Sequence, residues 1–352
     1  MNAGLLAAVP CLVTVASLAA QGLHVVPNSW ASTEAPSMLA TPGAGISERQ
    51  QILIDASELS PLLGRRITGL VFRRDSGYGD ALDPAQGTIV ASLGVAATAP
   101  HSASPVWSAN LPQRIECYRG PIVAPASPAI AAGGAGWTHP HAIDLQFSTP
   151  FAYSGGHLCI ELEGTTNADV WWPIDAITDS AAGTVSAEGQ ACGPRSRQLG
   201  QTAFVAAADL VVGRTAICKL FSDLGTSTIL IVGLGMLPSP FDLALIGSPG
   251  CWIYVEPIAT VPSTVTTPIL GTPFGAVTNV NLHIPAQSNL MGAPLALQWV
   301  EMTTNGVASS NALNCTIAAT PPTLPMAVVW QRPNGNVIID TTRAPVVGLR
   351  WE

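Results

Sequence analysis

Charge is scarce in this sequence. Asp, Glu, Lys and Arg make up 10% of its 352 residues, against about 25% in an average soluble protein. The formal net charge is -8, which argues against nucleic acid as a partner because binding to phosphates needs a basic face. Beyond the N-terminal segment, no apolar run reaches the roughly 18 residues of a membrane span. Because few charges repel copies from one another, the candidate partners are a second copy of the protein or surface glycans. The favoured interpretation of the low charge is simply a surface of Ser, Thr, Asn and Gln.

Catalytic and zinc motifs are missing as well. No serine lies in a G-x-S-x-G elbow, and no CxxC pair suggests a structural zinc site. Ser248 is followed by Pro249, which has no N–H for an oxyanion hole. His139 and His141 could bind a metal together with a distant aspartate or His157, but the favoured interpretation is loop histidines without a role. We therefore predict that the protein is not an enzyme and needs no cofactor.

Glycine and proline are plentiful, with 33 and 30 residues, as expected for short strands joined by many turns. Alternation of apolar and polar residues, as at Ile143, Leu145 and Phe147, indicates half-buried strands. The predicted fold class is all-β, with two antiparallel β-sandwich domains of jelly-roll or Ig-like type. The predicted divisions are a signal peptide (1–20), an N-terminal sandwich (21–188), a C-terminal sandwich (189–320) and a hairpin tail (321–352).

The first 20 residues resemble a secretion signal. The run from Leu5 to Ala20 is almost entirely apolar and ends in small residues suited to cleavage. The alternative is a short N-terminal helix of the folded domain. A signal peptide predicts a secreted or cell-surface protein.

Six cysteines remain after that segment, an even number that favours disulfides in an exported chain. Six cysteines allow 15 pairings. We expect bridges that stay within one predicted domain, with free buried thiols as the alternative for some of them. The predicted pairs are Cys117–Cys159, Cys192–Cys218 and Cys251–Cys315.

The stretch from Pro240 to Val255 is predicted to be a strand, a tight turn and a second strand. Phe241, Leu243 and Leu245 would lie on one face of the first strand. Gly and Pro at 247–250 supply the turn, and Cys251 opens the second strand.

The C-terminal tail is predicted to form a hairpin from Met326 to Thr341, with its turn at Asn334-Gly335. Apolar residues lie on both faces of this hairpin, which would be marginal in water alone. We therefore expect it to pack on the second sandwich or to pair with another copy. A last strand is predicted from Val346 to Trp351.

Three aspartates in a glycine-containing loop, Asp75, Asp80 and Asp83, could bind a structural calcium ion through oxygen ligands. The spacing is not that of an EF-hand, and no glutamate closes the loop. Solvated turn aspartates are the favoured alternative.

Aromatic residues suggest a second candidate site, because an exposed indole can stack on a sugar ring. The candidate residues are Trp137, Trp171 and Trp172, with Asn167 and Asp169 to bind hydroxyls. Adjacent Trp171 and Trp172 must point in opposite directions on a strand, so we expect one of them in the core.

Several segments carry a resemblance to a known group of proteins. They are RITGLVFRRD, TIVASLGVAAT and AIDLQFSTPFAYSGGHLCIELEG in the first half, and LPSPFDLALIGSPGCWIYV and SNALNCTI in the second. The pattern covers most of residues 50–318 and resembles functionally uncharacterised exported β-rich proteins of planctomycete-type bacteria. This resemblance implies secretion and β architecture, and it carries no catalytic residues.

The leading hypothesis is a non-catalytic exported protein with a structural or adhesive role at the cell surface or in an extracellular matrix. The alternative is a carbohydrate-binding β-sandwich module, and the second alternative is a secreted hydrolase.

Overall fold

The computed structural model describes residues 21–41, 49–164, 172–269, 275–304, 306–331 and 335–352. The predicted signal peptide lies outside these residues. Within them the chain forms 24 strands in antiparallel sheets and only short helical turns. The prediction of an all-β fold of sandwich type is therefore confirmed. No helix in the described ranges is long and apolar enough to cross a membrane.

The first nine strands build most of the first sandwich. They are β1 (Gly22–Val26), β2 (Ser37–Ala40), β3 (Arg49–Ile54), β4 (Arg66–Arg73), β5 (Ala85–Val95), β6 (Ile115–Ala124), β7 (Ala142–Ala152), β8 (Leu158–Gly164) and β9 (Pro173–Thr178).

The next eleven strands belong to the second half of the molecule. They are β10 (Thr184–Glu188), β11 (Ala203–Phe204), β12 (Thr215–Ser222), β13 (Ser227–Gly233), β14 (Met236–Asp242), β15 (Trp252–Val255), β16 (Ala259–Thr264), β17 (Thr267–Pro268), β18 (Ala276–His283), β19 (Pro294–Thr303) and β20 (Gly306–Thr316). The last four are β21 (Met326–Gln331), β22 (Val337–Asp340), β23 (Arg343–Pro345) and β24 (Val347–Trp351).

Helical structure is limited to connections. The four-residue α-helices are α1 (Trp107–Asn110) and α2 (Ser196–Leu199). The 3₁₀ segments are Asn28–Trp30, Ala56–Leu62, Pro100–Ser102, Ala207–Asp209, Leu243–Ile246 and Ser288–Leu290.

Three sheets form the first sandwich, in the strand orders β22-β21-β3-β8-β5-β6, β1-β24-β4-β7 and β2-β9-β23. Alternation explains how they pack. On β8, Leu158, Ile160 and Leu162 join the main core, whereas Cys159 lies in a smaller cluster on the opposite face. The second face of β8 also carries Glu161, which is buried and paired with Arg49 and Arg114.

Two sheets form the second sandwich, in the orders β10-β20-β19-β13-β16 and β11-β12-β18-β17. Their facing residues share one core, which includes Leu220, Leu230 and Trp299. Strand β10 pairs with β20, so residues 184–188 belong to this sandwich. The predicted boundary had placed them in the first sandwich.

The tail completes the first sandwich. Strand β21 pairs with β3 along its whole length and with β22 in a hairpin, and β24 lies between β1 and β4. The predicted hairpin and last strand are confirmed. The expectation that the hairpin packs mainly on the second sandwich or on another copy is wrong, because its main contact is β3 of the first sandwich. The reason is that β21 is apolar on both faces: Met326 and Val328 enter the main core, and Ala327 and Val329 enter the cluster behind it. Asn334 lies outside the described residues.

The second sandwich is therefore an insertion between β9 and β21 of the first. The two are joined where the β22 edge meets β12: the Ile339 amide donates to Thr215 Oγ1 at 3.1 Å. Arg214 beside them pairs with buried Asp340 at 3.1 Å and with Asp209 at 3.2 Å. These contacts cover an otherwise unpaired sheet edge.

The described residues contain one disulfide, Cys192–Cys251, and the three predicted pairs are wrong. Cys117 faces the main core of the first sandwich while Cys159 lies on the other face of the same sheet, so the two cannot meet. Cys218 and Cys315 are buried in the second core, away from the loops that carry the bonded pair. The prediction that Cys251 bonds within the C-terminal half is confirmed, with Cys192 as partner.

Candidate functional site

Three acidic side chains from distant parts of the sequence meet in the first sandwich. The carboxylate oxygens of Glu34, Asp75 and Asp175 lie within 4.8 Å of one another. Glu34 precedes β2, Asp75 follows β4, and Asp175 lies on β9. Asp75 and Asp175 are buried, so like charges are brought together away from water, where their repulsion is strongest.

Arg73 supplies the positive charge in this acidic cluster. Its Nε donates to Asp175 Oδ2 at 3.1 Å, and its Nη2 bonds to the same oxygen and to the carbonyl of Thr33 at 2.6 Å. The guanidinium also lies 4.5 Å from the ring centre of Trp137. The arginine thus ties the loop before β2 to β4 and β9.

Burial raises the pKa of Asp175 to about 6, against the opposing effect of Arg73. Burial also raises the pKa of Asp75, and the nearby Glu34 carboxylate raises it further. The guanidinium of Arg74 also interacts electrostatically with Glu34 and Asp75, so the three carboxyl groups lie close to two arginines.

The carboxylates of the cluster already accept hydrogen bonds from the protein. Both oxygens of Glu34 accept from Ser76, and one accepts from the Gly133 amide at 2.8 Å. Asp175 accepts from the Ala35 amide at 3.0 Å in addition to Arg73. Calcium requires six to eight oxygen ligands, and this arrangement does not fit it because Arg73 and backbone amides occupy the oxygens.

The loop that was predicted to bind calcium surrounds the side chain of Arg74 instead. The buried guanidinium of Arg74 donates to the carbonyls of Tyr78, at 2.8 Å, and Asp80, and from its other nitrogen to the Pro128 carbonyl at 2.6 Å. The side chains of Asp80 and Asp83 are exposed, whereas Asp75 is buried in the acidic cluster. The three predicted calcium ligands are therefore not brought together.

A serine and a histidine meet beside this loop: Ser127 Oγ lies 2.9 Å from His141 Nδ1. Arg74 donates to the same Ser127 hydroxyl at 2.7 Å, and Ser127 is buried. A nucleophile needs an accessible oxygen and a free base, so this pair serves to position the loop. His157 lies elsewhere, 3.3 Å from Asp55.

Two of the predicted sugar-binding residues, Trp137 and Trp172, make contacts within the protein. Trp172 is fully buried and its Nε1 donates to the Pro125 carbonyl at 3.1 Å, which confirms the expectation that one of the adjacent tryptophans is core. Trp137 donates to the Ala31 carbonyl at 2.9 Å and carries Arg73 over its ring. Asn167, Asp169 and Trp171 lie outside the described residues.

An apolar surface missed from the sequence lies at the end of the β14–β15 hairpin. We call Phe241, Leu245 and Ile246 the apolar tip; they are 47%, 79% and 57% exposed. The predicted strand ends at Asp242, whose carboxylate accepts from the Ala244 amide at 2.8 Å and caps a 3₁₀ turn. Leu243 then turns inward while Leu245 turns outward, so they do not share a face.

The apolar tip is held in place by covalent and local contacts. Leu243 is buried beneath it, and Gly247 closes the turn with a φ of +86°. The Cys192–Cys251 disulfide fixes the base of the turn to the neighbouring loop. Exposed apolar groups on a braced turn mark an interaction site more often than scattered ones do.

Comparisons with protein-family models, curated proteins and solved structures give no match. The resemblance to exported proteins of planctomycete-type bacteria therefore stays a prediction.

Proposed function

We propose that the protein is a non-catalytic exported structural or adhesive protein that makes contact through its apolar tip. The observation that carries this proposal is a disulfide-braced turn whose three large apolar side chains point into solvent. The disulfide also supports an oxidising compartment, where such bonds persist.

The architecture suits the presentation of such a contact. The tip belongs to the half of the chain that is inserted between β9 and β21. The first and last strands, β1 and β24, pair with each other in the other sandwich. The partner that fits best is a second copy, because an apolar surface with few charges favours association over repulsion.

The test compares a triple variant of the tip with a double variant that serves as its control. The tip variant carries Phe241→Ser, Leu245→Ser and Ile246→Ser. The control variant carries Leu234→Ser and Ile258→Ser, which change exposed apolar residues at the opposite end of the hairpin. Sedimentation velocity and adsorption to an apolar surface are measured for both.

We expect the tip variant to lose self-association and adsorption while the control variant keeps them. Equal behaviour of the two variants and the unmodified protein would contradict the proposal. A glycan array and a screen with esterase, protease and glycosidase substrates test the two alternative functions on the same preparations.

A further inference from the structure

The core of the second sandwich ends in a polar layer. We use this name for the side chains of Thr202, Ser222, Thr228, Glu301 and Asn311, all of which are buried. Four come from strands β12, β13, β19 and β20, two residues from apolar core residues such as Leu220, Leu230 and Trp299 and therefore on the same face of each strand. The apolar core is therefore replaced by oxygen-bearing groups at this end.

Three oxygens of the polar layer are buried without a hydrogen-bond partner: Oε1 of Glu301 and Oγ1 of Thr228 and Thr202. Thr228 lies directly opposite Glu301 in the β13–β19 pair. Side chains of such a pair share one face, with Cβ atoms about 4.5–5.5 Å apart. Buried polar atoms in native proteins nearly always have a partner, so two facing orphan oxygens indicate a bound species between them.

A glycine forms the roof of this site. A Cβ added to Gly193 would lie 2.1 Å from Glu301 Oε1, so a larger residue here would have to displace the carboxyl group. On the outer side of Gly193 lies a groove of about 720 Å³ that Asp223 and Ala308 also line. Solvent thus approaches to within one backbone layer of the carboxyl group.

The charge around Glu301 is not balanced by the protein. Its Oε2 accepts from the Ser222 hydroxyl, and no lysine or arginine forms an ion pair with it among the described residues. Asp223, which also acts on Glu301 electrostatically, is paired with Arg195 at 2.6 Å. Burial, with a smaller contribution from the nearby Asp223 carboxylate, raises the pKa of Glu301 to about 7. A single uncompensated negative charge needs one positive charge.

We propose that Glu301 Oε1 and Thr228 Oγ1 bind a monovalent hard cation such as Na⁺. Carboxylate and hydroxyl oxygens are the ligands that hard cations prefer. One carboxylate balances one positive charge, whereas a divalent ion would leave a net charge in the core. The cation competes with the proton for the same carboxyl oxygen, so occupancy rises with pH.

The test measures the thermal midpoint of the full chain at about pH 8, where deprotonation favours cation binding. NaCl, KCl and CaCl₂ are each compared with choline chloride at equal ionic strength. At a saturating concentration we expect Na⁺ or K⁺ to raise the midpoint by about 3 °C. The rise should vanish in Glu301→Gln, which keeps the shape and removes the charge, and should shrink in Thr228→Val.

A second measurement separates the cation from a buried water molecule. In protein labelled with ¹³C at glutamate Cδ, Na⁺ should lower the pH at which Glu301 titrates. Because cation and proton compete for one site, this pH should fall by about one unit for each tenfold increase in Na⁺ above its dissociation constant. Thermal midpoints and a titration that are the same in NaCl and choline chloride would overturn the proposal, as would an equal Na⁺ effect in Glu301→Gln. An effect of CaCl₂ alone would overturn the monovalent assignment.

Discussion

Two buried glutamates, Glu161 in the first sandwich and Glu301 in the second, differ in the groups that surround their carboxylates. In the first, Glu161 accepts from Arg49 at 2.8 Å, from Gln51 at 2.6 Å and from Arg114. Burial alone would raise the pKa of Glu161, but these donors outweigh it and the pKa falls below its ordinary value. In the second, Glu301 has only the Ser222 hydroxyl, and its pKa rises.

The difference teaches that burial does not by itself decide the charge state of a carboxyl group. A guanidinium within hydrogen-bond distance keeps Glu161 ionised, and its absence makes Glu301 depend on a proton or a cation from outside. In the first sandwich the protein itself supplies the positive charge that balances Glu161. In the second, Glu301 needs a proton or a cation from the solution.

The largest expected effect comes from making the first sandwich resemble the second. Arg73→Met leaves Asp175 buried without its arginine and removes the stacking on Trp137. We expect a loss of about 3–5 kcal/mol in the free energy of unfolding, because an unpaired charge is left in the core. Urea denaturation at neutral pH measures it.

The matched control for this prediction is Arg350→Met, which removes an exposed pair with Asp144. It should cost about 0–1 kcal/mol. Equal losses for the two variants would contradict the assigned role of Arg73.

The next effect concerns the disulfide that braces the second sandwich. Replacing Cys192 and Cys251 together by serine should cost about 2–4 kcal/mol through the greater freedom of the unfolded chain. The unmodified protein with a reductant should unfold at the same temperature as this variant, which itself should not respond to the reductant. Calorimetry with and without dithiothreitol checks both.

A smaller effect, of opposite sign, is expected from Glu301→Gln in choline chloride. The folded pKa, about 7, lies above the unfolded value, so the folded state binds the extra proton and loses stability as pH rises between the two. Glutamine removes this loss. We expect the free energy of unfolding of Glu301→Gln to exceed that of the unmodified protein by about 2–3 kcal/mol at about pH 8 and to equal it at about pH 4.

The free energy of unfolding could instead differ between Glu301→Gln and the unmodified protein by the same amount at every pH. That result would show that the pKa of Glu301 is the same in the folded and unfolded states and would contradict the contrast with Glu161. Chemical denaturation at several pH values is sufficient.

The smallest effect is expected at the apolar tip. Leu245→Ser should change stability by less than about 0.5 kcal/mol, because its side chain is already in water. Leu243→Ala, two residues earlier and buried, should cost about 2 kcal/mol or more. Similar losses at both positions would mean that the tip is covered in the folded protein.

Local patterns predicted much of the secondary structure. Alternation at Ile143 and Leu145 gave a correct strand, and the apolar runs on either side of residue 334 gave a correct hairpin. The apolar residues on both faces of the hairpin correctly indicated that it needs a partner. Its partner β3 could not be predicted, because the pairing joins segments on either side of the whole second sandwich.

The sites were harder to predict because they depend on contacts between distant residues. Glu34, Asp75 and Asp175 are separated by long stretches of chain, and the expectation of local ligands led to Asp80 and Asp83 instead. A signal for Asp175 was present: an acid within an otherwise buried strand, Pro173–Thr178, implies a partner. Glu301 carries the same signal between Trp299 and the β19–β20 turn.

The insertion also sets an order of events during synthesis. Strands β3 and β4 leave the ribosome early, but their neighbours β21 and β24 follow only after the second sandwich. Long-range pairing of this kind is slow, and open strand edges are prone to aggregation in the meantime. The second sandwich, whose strands pair among themselves, is free to fold first and then bring the two parts of the first sandwich together.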